Sequence, residues 1–146
     1  MTPPREWKIG AHEVRFEPPN TLSVKIRGDI RVDEAGQLID VCAELGDREP
    51  FYLIADMSEI GSIPSEARGF ASKKIRPEWY RGVVYVGASF VAKAAVKSLS
   101  VVFYLAGKYT ADVEFVATSE EAPAALARQR AKHNTQVAEP SPPARR

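Results

Sequence analysis

The hydrophobic period changes along this chain, and that change constrains the fold more than any other feature. From His12 to Glu17 and from Thr21 to Arg27 apolar and polar residues alternate: Val14 and Phe16, then Leu22, Val24 and Ile26, opposed by Ser23, Lys25 and Arg27. A repeat of two sends successive side chains to opposite faces and predicts two half-buried strands. Pro18-Pro19-Asn20 between them supplies a turn, so the pair reads as a hairpin. After Gly28-Asp29 the spacing becomes helical, with Ala35, Leu38, Ile39, Cys42 and Leu45 on one face, Asp33 as the expected cap and Gly46 as the expected stop.

Downstream, helical and strand patterns take turns. Phe51 to Ala55 is a continuous apolar run between Pro50 and Asp56, as in a central strand covered on both faces. Gly82-Val83-Val84-Tyr85-Val86-Gly87 reads the same way, and Val113 to Ala117 is a less apolar third case. Ala67, Phe70, Ala71 and Ile75 share a face of a helix that starts near Pro64 and must stop before Pro77. Ser89 is placed to cap the next helix, whose stripe Ala92, Ala95, Val96, Leu99, Val102, Phe103 and Ala106 lies opposite Lys93, Lys97 and Tyr104. Thr118-Ser119-Glu120-Glu121 suits the start of a last helix, with Pro123 in its first turn.

Strands alternating with helices imply parallel pairing and right-handed crossovers, and the opening hairpin adds antiparallel strands to one side. The expected fold is α/β, a mixed sheet of about five strands with about four helices packed against it. Residues 1–8 read as an N-terminal extension, 9–133 as one domain, and 134–146, polar with Pro140, Pro142 and Pro143, as a disordered tail. With 146 residues, 45% of them hydrophobic, the chain holds enough apolar matter for one core and too little for two ordinary domains.

Charge narrows the partners. Lys and Arg total 20 against 19 Asp and Glu, so no long-range field draws in nucleic acid or an anionic membrane, and neither is expected as a partner. The start of the chain lacks the apolar core of a secretory signal, and the most apolar stretch, Phe90 to Ala106, is interrupted by Lys93 and Lys97. No stable membrane insertion and a cytoplasmic location are the expectations. Cys42 is the lone cysteine and reads as a small buried side chain.

The residues do not assemble a recognisable catalytic set. Gly87-Ala88-Ser89 has the look of a nucleophile elbow, but Val91 stands where the second glycine belongs. His12 and His133 are the only histidines, expected at the surface or an edge, and with Cys42 they show no ligand spacing. No dinucleotide or P-loop motif occurs, so no enzyme activity, metal or cofactor is expected.

Two regions invite binding. In an α/β sheet, ligands gather beyond the carboxyl ends of the strands. The segment Asp56 to Glu66 leaves the central strand there and enters a helix, with Ser58, Ser62 and Ser65 ready to cap, to bind an anion or to accept a phosphoryl group. The second region is Lys73, Lys74, Arg76, Trp79, Tyr80 and Arg81, cations interleaved with aromatics. Such a patch can hold phosphates or a lipid surface, or can be a solvated helix end whose aromatics cover the core.

The segments Phe51 to Glu66, Arg81 to Ser89 and Val113 to Leu126 resemble the STAS or SpoIIAA-like superfamily, including its STAS/SEC14-like branch. Asp56-Met57-Ser58-Glu59-Ile60 matches the opening of the loop that carries the phosphorylated motif in anti-sigma factor antagonists, and Ile63-Pro64-Ser65-Glu66-Ala67 falls where that motif lies. Pro64 takes the place of its aspartate, Ala67 that of its glycine, and Glu66 that of the usual phosphoacceptor. The resemblance therefore implies a regulatory protein-binding module with a permanent carboxylate where relatives acquire charge by phosphorylation. It implies a protein partner of the kinase or sigma-factor-regulator type, docking at Asp56, Ser58, Ser62, Ser65 and Glu66, and it admits a homodimer. The SEC14-like branch implies the alternative, a carrier or sensor of a lipid-like molecule lined by the apolar stripe from Val91 to Ala106.

Overall fold

The computed structural model describes residues 4–105 and 112–138, the side chains of 95, 99–105 and 134–138 excepted. Six strands form one sheet in sequential order: β1 (Arg5–Ile9), β2 (His12–Glu17), β3 (Thr21–Gly28), β4 (Phe51–Ile60), β5 (Tyr80–Val86) and β6 (Asp112–Val116). The first three pair antiparallel and the last four parallel. Four helices join them: α1 (Val32–Gly46), α2 (Ser65–Lys74), α3 (Phe90–Leu105) and α4 (Ala122–Ala138). The mixed sheet with an opening hairpin is thus the expected one, with a strand more.

That extra strand is β1, of which all but Ile9 falls in the stretch 1–8 expected as an extension. Arg5-Glu6-Trp7-Lys8-Ile9 alternates for too few residues, straight after two prolines, to stand out alone. Pairing with β2 sets Trp7 against Val14 and Ile9 against His12, around a turn at Gly10, whose φ of +60° suits glycine. At the other end α4 carries 134–138, expected as tail, and the remainder of that tail lies outside the described residues.

The two faces of the sheet are covered unequally. Val14, Phe16, Leu22, Val24, Ile26, Phe51 and Val83 point to the face on which α1 and α2 lie, and they form the main core with Ala35, Val41, Leu45 and Trp79. Right-handed crossovers from one parallel strand to the next put α3 on the same side. Lys93 of α3 accordingly lies over the Phe115 ring, which stacks on Tyr85. The second face belongs to α4 alone, and only in part. Ala122 and Ala125 pack on Val84 and Val86, with Ile54 and Val116 beside them, while the same face of β1 to β3 carries polar side chains and, among the described residues, no helix.

Helix ends follow local chemistry. Arg31, rather than the expected Asp33, flanks α1, and the Glu34 carboxylate accepts its backbone N–H at 3.1 Å. Ser89 caps α3 as expected, its hydroxyl accepting the Ala92 N–H at 3.1 Å. Before α4 the Glu121 carboxylate accepts the N–H groups of Thr118 and Ala117, and both bonds hold its carboxyl below the usual range.

Candidate partner-docking edge

The segment expected as a loop from Asp56 is strand as far as Ile60, because β4 continues alongside β3 across a register shift between Lys25 and Arg27. Asp56 and Ser58 are therefore strand-end residues. Asp56 accepts both the N–H (2.9 Å) and the hydroxyl (2.6 Å) of Ser58. Partial burial raises the Asp56 carboxyl, but those two bonds, with Lys25 and Arg27 nearby, outweigh it and leave it below its ordinary value. Lys25 also reaches Glu59 at 3.2 Å.

The true connection is short and pinned. Asp29, just past β3, accepts the N–H of Ser62 at 2.7 Å and its hydroxyl at 3.2 Å, which lowers the Asp29 carboxyl. Backbone bonds from Gly61 to Gly28 and from Ile30 to Ser62 close the same clasp. Ser62 is consequently engaged in holding the chain. Ser65 and Glu66 follow in the first turn of α2, both exposed, and neither side chain has a hydrogen-bond or ionic partner among the described residues.

On the neighbouring turn, Gly87 (φ +67°) donates its N–H to Val116 and crosses directly over Ser58. Just beyond it, Phe90 (86% exposed) and Val91 (76%) project from the first turn of α3. Phe90 lies on the side of that helix away from the expected stripe, whereas Val91, counted at the start of that stripe, is exposed against expectation.

The basic region resolves differently. Lys73, Lys74 and Arg76 are exposed where α2 ends, Lys74 nine residues or roughly 14 Å from Ser65 along the helix. Trp79 and Tyr80 are buried, and the Trp79 Nε1 donates to Asp47 at 2.8 Å. Arg81 is half-buried in β5. The aromatics serve the core, so the cations have no stacking surface between them.

Of the two histidines His12 departs from expectation, while His133 is half-buried at an edge of the sheet. His12 is 1% exposed, because it shares strand parity with Val14 and Phe16, a signal present in the sequence. Its Nδ1 accepts the Arg27 N–H at 3.0 Å and its Nε2 faces Glu34 at 3.1 Å, which makes Nε2 the protonated nitrogen. His133 lies between Tyr52 and Asp112: the Tyr52 hydroxyl is 2.7 Å from Nδ1, and Nε2 is 3.2 Å from the carboxylate. Arg130 stacks over the Tyr52 ring and bonds Asn20 and Thr21. This cluster fastens α4 to the amino edge of the sheet, away from the Ser65 turn.

Burial pushes the Cys42 thiol up to about 11, which keeps it un-ionised. Among the described residues no group of three His, Cys, Asp or Glu side chains can hold a metal ion. Nor is any described helix long and apolar enough to cross a membrane. Much of the stripe expected to line a lipid-like ligand, residues 99–106, lies outside the described side chains.

A sheet of sequential strand order, antiparallel over its first three strands and parallel over its last four, with α4 the one described helix on the second face, is a SpoIIAA-like fold. Among solved structures the chain is similar to the anti-sigma factor antagonist SpoIIAA in its unphosphorylated form, with a TM-score of 0.59, 13% identity, and coverage of 80% of this chain and 98% of that one. No protein-family model and no curated protein matches the sequence.

Proposed function

We propose that this chain is a non-enzymatic regulatory module that docks a protein partner through the end of β4 and the first turn of α2. The observation that carries this reading is the exposure of Ser65 and Glu66, without partners of their own, on a turn held fixed by the Asp29–Ser62 clasp. A rigid scaffold that presents polar groups loses little conformational freedom on binding. Asp56 and Ser58 satisfy each other and shape the strand end, Ser62 anchors the loop, and Ser65 with Glu66 make the contacts. Support from outside the chain is the likeness to a protein described as an anti-sigma factor antagonist, whose fold this chain shares. A partner of the kinase or sigma-factor-regulator class, met in the cytoplasm, belongs to the same reading. Glu66 then acts as a constant negative charge and needs no phosphorylation to be recognised.

The test is a pull-down that compares the wild-type chain with Ser65→Ala and Glu66→Ala. Loss of one and the same protein from both variants supports the reading. An unchanged set of recovered proteins removes it.

A further inference from the structure

Among the described residues, the half of the second sheet face that α4 does not cover is an open trough of about 700 Å3 between the strands and the start of α4, with Ile54, Val86, Ala122 and Pro123 at its apolar end. Its floor carries charge in an ordered way. Strand register sets Lys8 beside Glu13, Glu13 beside Lys25 and Lys25 beside Asp56, so one row across β1 to β4 reads plus, minus, plus, minus. The next row reads Glu6, Arg15, Ser23, Ile54, and the one after it begins Glu17, Thr21.

We infer that this face is the contact between two copies of the chain, stacked sheet on sheet about a two-fold axis that runs along the strands midway between β2 and β3. That axis exchanges β1 with β4 and β2 with β3. Each member of the first row then meets its opposite: Lys8 faces Asp56 of the second copy, and Glu13 faces its Lys25. In the next row Glu6 meets Ile54 and Arg15 meets Ser23, so no like charges collide, and the row of Glu17 and Thr21 lies beyond the contact, where Arg130 of α4 covers Thr21. A pattern that inverts its own sign under a two-fold operation is the electrostatic form of an isologous interface. Aligned sheets cross at about 30°, so the match is best near the axis, at Glu13 and Lys25. Stacked sheets lie about 10 Å apart, which sets the second sheet in the layer α4 occupies over β5 and β6. The Ser65 turn lies outside the trough and Asp56 is the residue the two surfaces share, so the variants that test this contact are placed at Glu13, Ser23 and Lys25, none of them in the docking edge.

Four strands about 4.8 Å apart and about five residues long give a footprint on the order of 300 Å2 per copy, well below a standard interface. The dimer is accordingly weak and screened by salt. Sedimentation at protein concentrations up to about 0.5 mM is expected to show a monomer–dimer equilibrium at low salt that shifts to monomer near 0.5 M salt. Glu13→Lys and Lys25→Glu are each expected to weaken it at least tenfold, and an equimolar mixture of the two to restore it, because each altered position then meets its opposite across the axis. Ser23→Arg sets a second cation beside Arg15 of its own chain, where Glu6 and Glu17 already pair with Arg15, and against Arg15 of the second copy; it is expected to abolish the dimer with an unchanged circular dichroism spectrum. A wild-type chain that stays monomeric at low salt over the whole range, whatever else fills the trough, overturns the inference. So does a dimer that survives Ser23→Arg, or single variants that fail to recombine.

Discussion

Gly87 turns directly above Ser58, so closely that a Cβ on Gly87 would stand 2.8 Å from the Cβ of Ser58. The two residues join the end of β4 to the turn that starts α3, and through them the strand end bearing Asp56 is held against the rest of the carboxyl edge. Gly87→Ala meets both a positive φ and a clash, and is expected to cost about 1–3 kcal/mol in urea denaturation. A variant as stable as wild type would mean that the two turns are not in contact.

The clasp between Asp29 and Ser62 orders the approach to α2. Asp29→Asn and Ser62→Ala should each speed amide hydrogen exchange at residues 61–66 while leaving the exchange of β5 unchanged. Equal protection in wild type and variants would show that the loop is held by something else.

At the opposite edge, Tyr52, His133 and Asp112 tie α4 to β4 and β6. Tyr52→Phe is expected to lower stability by about 1 kcal/mol, the usual net value of a hydrogen bond. The double variant with His133→Ala should cost less than the sum of the single changes, since both remove one bond. Full additivity in denaturation measurements would place the two side chains out of contact.

Acid should unfold the protein in a defined window. Backbone and hydroxyl donors from Ser62 lower the Asp29 carboxyl, and the Arg31 N–H, with His12, lowers that of Glu34. Asp56 and Glu121 lie below their ordinary values too. Because the folded state holds these carboxylates ionised more firmly than the unfolded chain does, their stabilisation is complete above the unfolded values of about 4. It is lost as pH falls through the lower folded values. The melting temperature should therefore change little between about pH 7 and 5 on this account and drop below about pH 4. Glu34→Gln should make that drop shallower.

The parallel core is readable because β4 and β5 contain continuous apolar runs and the helices α1 and α2 that precede them carry apolar stripes. β1 is not, since its two inward residues, Trp7 and Ile9, gain meaning only when β2 pairs with them. The site was visible in part. The serines of the Asp56 to Glu66 segment draw attention to this edge, yet sequence treats them alike, whereas the fold gives Ser58 to Asp56, Ser62 to Asp29, and leaves Ser65 open. Trp79 shows the converse. Its neighbours Arg76 and Arg81 suggested a surface patch, but the indole is buried beside α1, with Asp47 satisfying its N–H. Long-range partners such as these are fixed by tertiary packing and leave no local trace.

The central claim is that another protein meets the first turn of α2. A photo-crosslinking residue placed at Glu66 and, separately, at Lys74 at the far end of the same helix tests it most directly. Irradiation in cells should give one discrete adduct from position 66 and none of that mass from position 74. Identical adducts from both positions, or none from position 66, would contradict it.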